Sequence, residues 1–446
     1  MPIDPERPHE ATSMDRRAFL RRAAAAGIAL PSMAAILAAC GSGAQDTVAT
    51  GAAGGSGSSA ANPYGTGGIA GAPYPLARQD APVTWTVQAD NPVIESNLQP
   101  EKNAQLQVLA WPFYIDTGIL SKFEKKYDCK IVKTEFEDMD KGVAKISSGQ
   151  GEFDIMIGMS LQYLGRSIAA NLIRPLNLDY IPNLAANVYE PFQSPFYDVG
   201  AQFSTPYAVW TTGMFWRNDK LNIDPASMSN PYDVFFDSPP KDKTHFLANA
   251  QDVLAMPMFR DGVTDVNNAD ATAISKAKDD IASIVAQVGS VSYDHVDYND
   301  VPAGKAFLHQ SWSGNASDAV VFLTNKSDAD VLSYYWPGAD GHPANVDNDT
   351  TVVLSQGKNP VLAHLLANWI LDNTYAMENF TNMTGYQQPV QAFTPQSMVD
   401  SGIVPEHLKT VIVSEEDFAK GSRELELPTD LDTLWQQAFT ELQSGV

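Results

Sequence analysis

Leu106-Gln107-Val108-Leu109-Ala110-Trp111, followed by Ile119, Leu120, Phe123 and Tyr127 at helical spacing and then by Ile131 to Phe136, is the stretch on which the fold turns. It reads as strand, amphipathic helix, strand. Val143 and Ile146 mark a second short helix, and Phe153-Asp154-Ile155-Met156-Ile157 reads as a third strand. Such alternation predicts a parallel α/β layer. Ligands of these sheets collect beyond the carboxyl ends of the strands, in the loops that start helices. Trp111 to Tyr114 and Gly158 to Leu161 occupy those loops.

Downstream, Phe203 to Trp216 is β-rich and long, as a segment running from one lobe to another would be. A helix-rich stretch follows, with Asp252 to Phe259 and Ile274 to Val288 as its apolar runs. Ser311-Trp312-Ser313-Gly314-Asn315 reads as a turn and helix start, and Thr350 to Leu354 as a return strand. Val361 to Leu371 and Thr433 to Leu442 carry clear helical periodicity, and no fixed-period repeat appears.

Upstream lies a targeting segment. Asp15-Arg16-Arg17-Ala18-Phe19-Leu20-Arg21-Arg22 precedes an uncharged, mildly apolar run to Ala39, which resembles a twin-arginine export signal. Leu37-Ala38-Ala39-Cys40 has the small-residue pattern of a lipobox, so Cys40 is expected to be acylated and to become the mature N-terminus. The run is Ala-rich and broken by Gly27 and Pro31, unlike the roughly 20 strongly apolar residues a membrane span needs. Gly41 to about Gly71 is Gly, Ser, Ala and Thr, a composition that cannot repay its ordering entropy. It reads as a flexible tether, with globular order beginning near Gln105.

The 446 residues are 44% hydrophobic and 18% charged, a globular composition, with a formal net charge of −24. Removing residues 1–39 takes away five arginines and four acids, which leaves the exported part at −25. A phosphate backbone is a poor partner for such a surface, and nucleic acid is not expected. Cys40 and Cys129 are the only cysteines, so no disulfide framework is possible; Cys129 reads as a small buried hydrophobe. The seven histidines form no His-Glu-x-x-His pair, and no Gly-x-Ser-x-Gly elbow or Walker loop is present. His364 falls in an apolar helix and reads as structural. Asp294-His295-Val296-Asp297-Tyr298-Asn299-Asp300 lacks the Gly and terminal Glu of a calcium loop and reads as a solvated turn. Neither an enzyme, a metal nor a cofactor is therefore expected, although a carboxylate pair for glycoside hydrolysis stays open.

Trp111, Tyr114, Trp312 and Tyr386 each stand where a strand or helix ends, beside Pro112, Gly314 or Gly385. Aromatics at such junctions can line a cleft, and with a few carboxylates they suit a small organic cation. The chain from about Gln105 resembles the spermidine/putrescine-binding proteins of bacterial ATP-binding-cassette importers. The likeness is carried by Trp111-Pro112-Phe113-Tyr114, Phe153 to Ile157, Pro206-Tyr207-Ala208-Val209-Trp210-Thr211-Thr212-Gly213-Met214, Trp312-Ser313-Gly314-Asn315-Ala316, Trp336-Pro337-Gly338 and Gly385-Tyr386-Gln387-Gln388-Pro389.

The resemblance implies a two-lobed, hinged periplasmic-binding-protein fold, type II-like, each lobe a mixed sheet flanked by helices. Residues 81–212 with 344–390 are expected in lobe 1, 213–343 with 391–446 in lobe 2, 1–39 in the signal peptide and 40–80 in the linker. It further implies ligand contacts from Trp111, Tyr114, Ser160, Trp312, Asp349 and Tyr386. Leu161 replaces a family tyrosine, Ala248-Asn249-Ala250-Gln251 lacks a family aspartate, and Asp347 replaces a tryptophan. Asn249 is expected to hydrogen-bond an amine of the ligand, and Asp347 or Asp252 to replace the lost charge. The expected protein is a monomer, tethered through Cys40 to the outer face of the cytoplasmic membrane, that passes a polyamine to a permease. The same fold with another small organic cation, an amino-acid derivative or an opine-like ligand, a surface hydrolase, and a non-transport sensor or scaffold are the alternatives.

Overall fold

The computed structural model describes residues 62–69, 72–149, 152–288, 292–294, 296–323 and 326–445. The export signal, Cys40 and the tether as far as residue 61 lie outside the described residues, as does His295.

Two short strands, β1 (Gly65–Thr66) and β2 (Thr84–Trp85), come first. The expected layer follows as β3 (Gln105–Ala110), α1 (Thr117–Tyr127), β4 (Lys130–Glu135), α2 (Met139–Ser147), β5 (Ile155–Ser160) and α3 (Leu161–Ala169). Next are β6 (Thr205–Arg217), β7 (Thr244–Phe246), α4 (Ala250–Arg260), α5 (Ala271–Val288), β8 (Ser292–Tyr293), β9 (Leu308–Trp312), α6 (Ser313–Phe322) and β10 (Leu332–Tyr335). β11 (Val346–Val353), α7 (Pro360–Ile370) and α8 (Thr429–Ser444) lie in the last third.

Local chemistry sets the boundaries. α1 starts at Asp116, whose carboxylate accepts from the Gly118 and Ile119 amides, and it stops at Asp128 in the left-handed region. Its buried face is Ile119, Leu120 and Phe123, at the predicted spacing. β3 pairs in parallel with β4 and β5, because α1 and α2 supply the crossovers.

The strand order is β4-β3-β5-β11-β6-β9-β7-β8, with β10 also on β6. β6 joins two layers. Thr205 to Thr211 pair with β11, whereas Thr212 to Arg217 pair with β9 and β10. At 13 residues it is about 43 Å long, enough to cross from one lobe into the other. The fold is the expected two-lobed mixed α/β arrangement, with Leu106, Val108, Ile155 and Ile157 in one core and Phe246, Val253, Ile281 and Trp435 in another. α8 packs on α4 and α5.

Order begins earlier than the composition suggested. β1 pairs with β2, and Leu76, Val83 and Trp85 are buried. Tyr74 donates to the Glu426 carboxylate at 2.7 Å and Arg78 to the Glu426 carbonyl at 3.2 Å, which fastens residues 72–80 to the far end of the chain. Long-range hydrogen bonds, not local propensity, order this segment. The Asp294–Asp300 turn also departs from expectation, since Asp297 is fully buried and accepts from Ser311 and from Asn315 Nδ2. Cys129 is a buried free thiol, as expected; burial pushes it up to about 11.

Candidate functional site

Two strand ends meet where the sequence placed the first loop. In the β5–β11 pairing Ser160 lies opposite Asp349, so the hydroxyl and the carboxylate share one edge. The Tyr114 hydroxyl donates to Asp349 Oδ2 at 2.6 Å. Burial raises Asp349 to about 7, against the Tyr114 hydrogen bond that lowers it. Gly158 makes room for this corner: a Cβ there would stand 2.5 Å from the Trp111 ring and 2.6 Å from that of Tyr114, and its φ is +93°. Trp111 donates to the Gly158 carbonyl at 2.8 Å and rests on Phe136, with ring centroids 4.5 Å apart.

The opposite wall comes from the second layer. Asp252 accepts from Thr212 Oγ1 at 2.9 Å and from Trp312 Nε1 at 3.1 Å, and burial raises it to about 6. Between the two acids runs a row of rings. Tyr114 meets Tyr386 edge-on at 6.1 Å, Tyr386 meets Trp210 at 5.9 Å, and Trp210 meets Trp312 at 6.3 Å. Tyr386 lies flat on Gly314, where a Cβ would stand 2.5 Å from three ring atoms, and its hydroxyl donates to Asn315 Oδ1 at 2.8 Å. One tyrosine from the last third of the chain thereby bridges both walls.

Tyr114, Asp349, Tyr386 and Trp312 thus fall along one surface, whereas Trp111 sits behind Tyr114 against Phe136. Ser160 Oγ is buried and has no hydrogen-bond partner. Asn249 is placed otherwise than expected: its side-chain oxygen caps α4, accepting from the Gln251 and Asp252 amides at 2.8 and 3.2 Å. That cap holds Asp252 in the site, so Asn249 acts one residue removed from it. Asp347 accepts from the Glu424 amide at 2.7 Å, and burial raises it to about 7 while Arg423 lowers it.

Glu424 and Trp210 were not among the expected site residues. Glu424 accepts from Asn345 Nδ2 at 2.8 Å and is held well above the ordinary carboxyl range by burial and then by Asp252 and Asp347. Asp252, Asp347, Asp349 and Glu424 form a buried acidic group, and among the described residues Arg423 is the basic side chain that acts on it. Burial favours the neutral form of each of these acids, and a nearby cation would favour the charged form. No local pattern marked Glu424: Glu424, Leu425 and Glu426 are all buried, outside any strand.

No protein-family profile matches the chain. Over 350 residues it is 22% identical to the spermidine/putrescine-binding periplasmic protein of Salmonella typhimurium, which covers 77% of this chain and 92% of that protein. A spermidine/putrescine-binding periplasmic protein of Haemophilus influenzae is likewise 22% identical, over 77% of this chain and 90% of its own. Among solved structures, the spermidine/putrescine substrate-binding protein PotD of Streptococcus pneumoniae, in complex with calcium and HEPES, superposes with a TM-score of 0.63. It is 18% identical and covers 77% of this chain and 99% of its own. The resemblance read from the motifs therefore stands, as does the fold. Among the described residues no helix is long and apolar enough to cross a membrane.

Proposed function

We propose that this chain is an extracytoplasmic receptor for a linear polyamine such as putrescine or spermidine, tethered to the membrane through an acylated Cys40 and serving a permease of the ATP-binding-cassette type. The carrying observation is the row Tyr114–Tyr386–Trp210–Trp312 with Asp349 at one end and Asp252 at the other. A slim chain of methylenes packs on ring faces, and an ammonium at each end pairs with an acid. Neither acid has a basic partner within ion-pair distance among the described residues, so the ligand's charge is what their burial calls for.

Binding and closure are one event on this reading. Asp349 belongs to the layer of β5 and β11, Asp252 to the layer of β7 and β9, and β6 joins them. A guest that touches both acids favours the closed arrangement over the open one. Ser160 Oγ, buried beside Asp349 and unsatisfied, is a ready partner for the same ammonium. The named groups break no bond; they hold and release. A micromolar dissociation constant corresponds to about 8 kcal/mol, within reach of several stacked rings and two charge-assisted hydrogen bonds.

Calorimetry with putrescine, spermidine and a neutral diol of equal length tests the reading. Saturable one-site binding of an amine and none of the diol is expected. Equal affinity for diol and diamine, or no binding of either amine, overturns it.

A further inference from the structure

Outside the cleft, three side chains with metal-binding chemistry converge on the sheet. His245 on β7 and His309 on β9 face one another in a parallel pair, His245 in register with His309. Asp294 follows β8, which pairs with β7, and its amide donates to the Phe246 carbonyl at 3.0 Å. The carboxylate stands between the two rings. His245 Nδ1 is 3.2 Å from Asp294 Oδ2, and His309 Nε2 is 3.1 Å from Asp294 Oδ1. One ligand atom from each residue lies within 4.8 Å of the others.

We propose that His245, Asp294 and His309 bind one divalent transition-metal ion of the zinc type. Zinc–nitrogen and zinc–oxygen bonds of roughly 2.0–2.1 Å at tetrahedral angles put neighbouring ligand atoms about 3.3 Å apart. Both nitrogen–oxygen separations are already near that edge length. The rings are 5.5 Å apart by centroid and inclined at 35°, so both nitrogens address the space beside the carboxylate. His309 also has the outer contact that metal-bound histidines use: its Nδ1 donates to the Gln310 carbonyl, which leaves Nε2, now donating to Asp294, as the nitrogen that would give up its proton to an ion.

The donor set selects the metal. Two imidazoles and one carboxylate suit zinc, nickel or copper, whereas calcium and magnesium take oxygen ligands. Asp297 does not enlarge the set, because its oxygens are engaged by Ser311 and Asn315. Three protein ligands leave a position for water. His309 is fully buried, but the His245 side chain is 12% exposed and that of Asp294 25%, which gives an ion a way in. Separations of 64, 49 and 15 residues hide the site from motif reading. Bound there, the ion would tie β7, β8 and β9 together.

The test is calorimetry of the chelator-treated full chain with Zn2+, with Mg2+ and Ca2+ as controls, beside His245→Gln and Asp294→Asn. One equivalent of Zn2+ is expected, bound at micromolar level or tighter, with no comparable response to Mg2+ or Ca2+. Each variant should lose at least about tenfold, the scale on which outer contacts alone act. Putrescine binding should be unchanged in His245→Gln. Zinc binding of equal affinity in wild type and both variants overturns the proposal, as does the absence of saturable binding in wild type. The visible spectrum of the Co2+-loaded wild type decides independently of how the variants fold. Intense four- or five-coordinate bands support the site, and a weak octahedral spectrum overturns it.

Discussion

Asp349→Asn separates a site acid from a structural one. The substitution keeps the shape and leaves a carbonyl oxygen able to accept from the Tyr114 hydroxyl, which lies 2.6 Å from Asp349 Oδ2. Only the charge is removed. Moving a carboxyl from its ordinary 3.8 to about 7 means that above pH 7 the folded protein holds the anion at a cost. At roughly 1.4 kcal/mol per pH unit that cost is about 4 kcal/mol in the free protein. The sign follows: the folded state binds the proton more tightly than the unfolded one, so stability is gained as pH falls towards the unfolded value and lost as pH rises through about 7. A neutral amide carries no such penalty, and the free variant is expected to melt higher than wild type at pH 8, by several degrees. Its polyamine binding should fall, since taking the charge from a buried pair costs about 2–5 kcal/mol, or roughly 30-fold and upward. Differential scanning calorimetry and isothermal titration at pH 8 read both quantities. A variant that melts lower and binds unchanged would show that Asp349 is a packing residue, and the reasoning fails.

Wild-type affinity for putrescine should weaken on acidification from pH 8 to pH 5, by up to about tenfold per pH unit for each acid that protonates, because the ammonium pairs with the anion and Asp349 and Asp252 sit at about 7 and about 6; a flat calorimetric profile over that range contradicts the two-acid site. Gly158→Ala should lose both binding and stability, by about 1–3 kcal/mol, since the new Cβ meets Trp111 and Tyr114 at a φ of +93°; an unchanged melting temperature shows that the corner yields. Cys40→Ser should move the protein from the membrane pellet to the soluble fraction of the producing cell, because acyl chains carry the anchoring; unaltered fractionation removes the lipid anchor from the proposal.

The β3-α1-β4-α2-β5 layer was legible because each element announces itself within a dozen residues by its apolar period. β6 was legible for the same reason, as one long β-rich run. The choice of Tyr114, Trp312, Asp349 and Tyr386 as site residues came through the resemblance; loop position alone made each of the three aromatics as good a core residue as a site residue. What stayed hidden depends on partners far away in sequence. Residues 72–80 have too little apolar mass to order alone, and they do so on Glu426, 352 residues beyond Tyr74. Glu424 contradicts the rule that glutamate stays at the surface, and hydrogen bonds from Asn345 and Gln162, with one shared with Asp252, make its burial tolerable. Asn249 is the instructive case, because a local rule did cover it. Asn followed three residues later by Asp252 is a helix-start pattern, and a side-chain oxygen spent on two amides has little left to offer a ligand. The acid at this end of the site is Asp252, one of the two acids named as replacements for the missing family aspartate. Substituting a cap for a ligand moved the charge by one turn of chain, and the ring of Trp312 followed it.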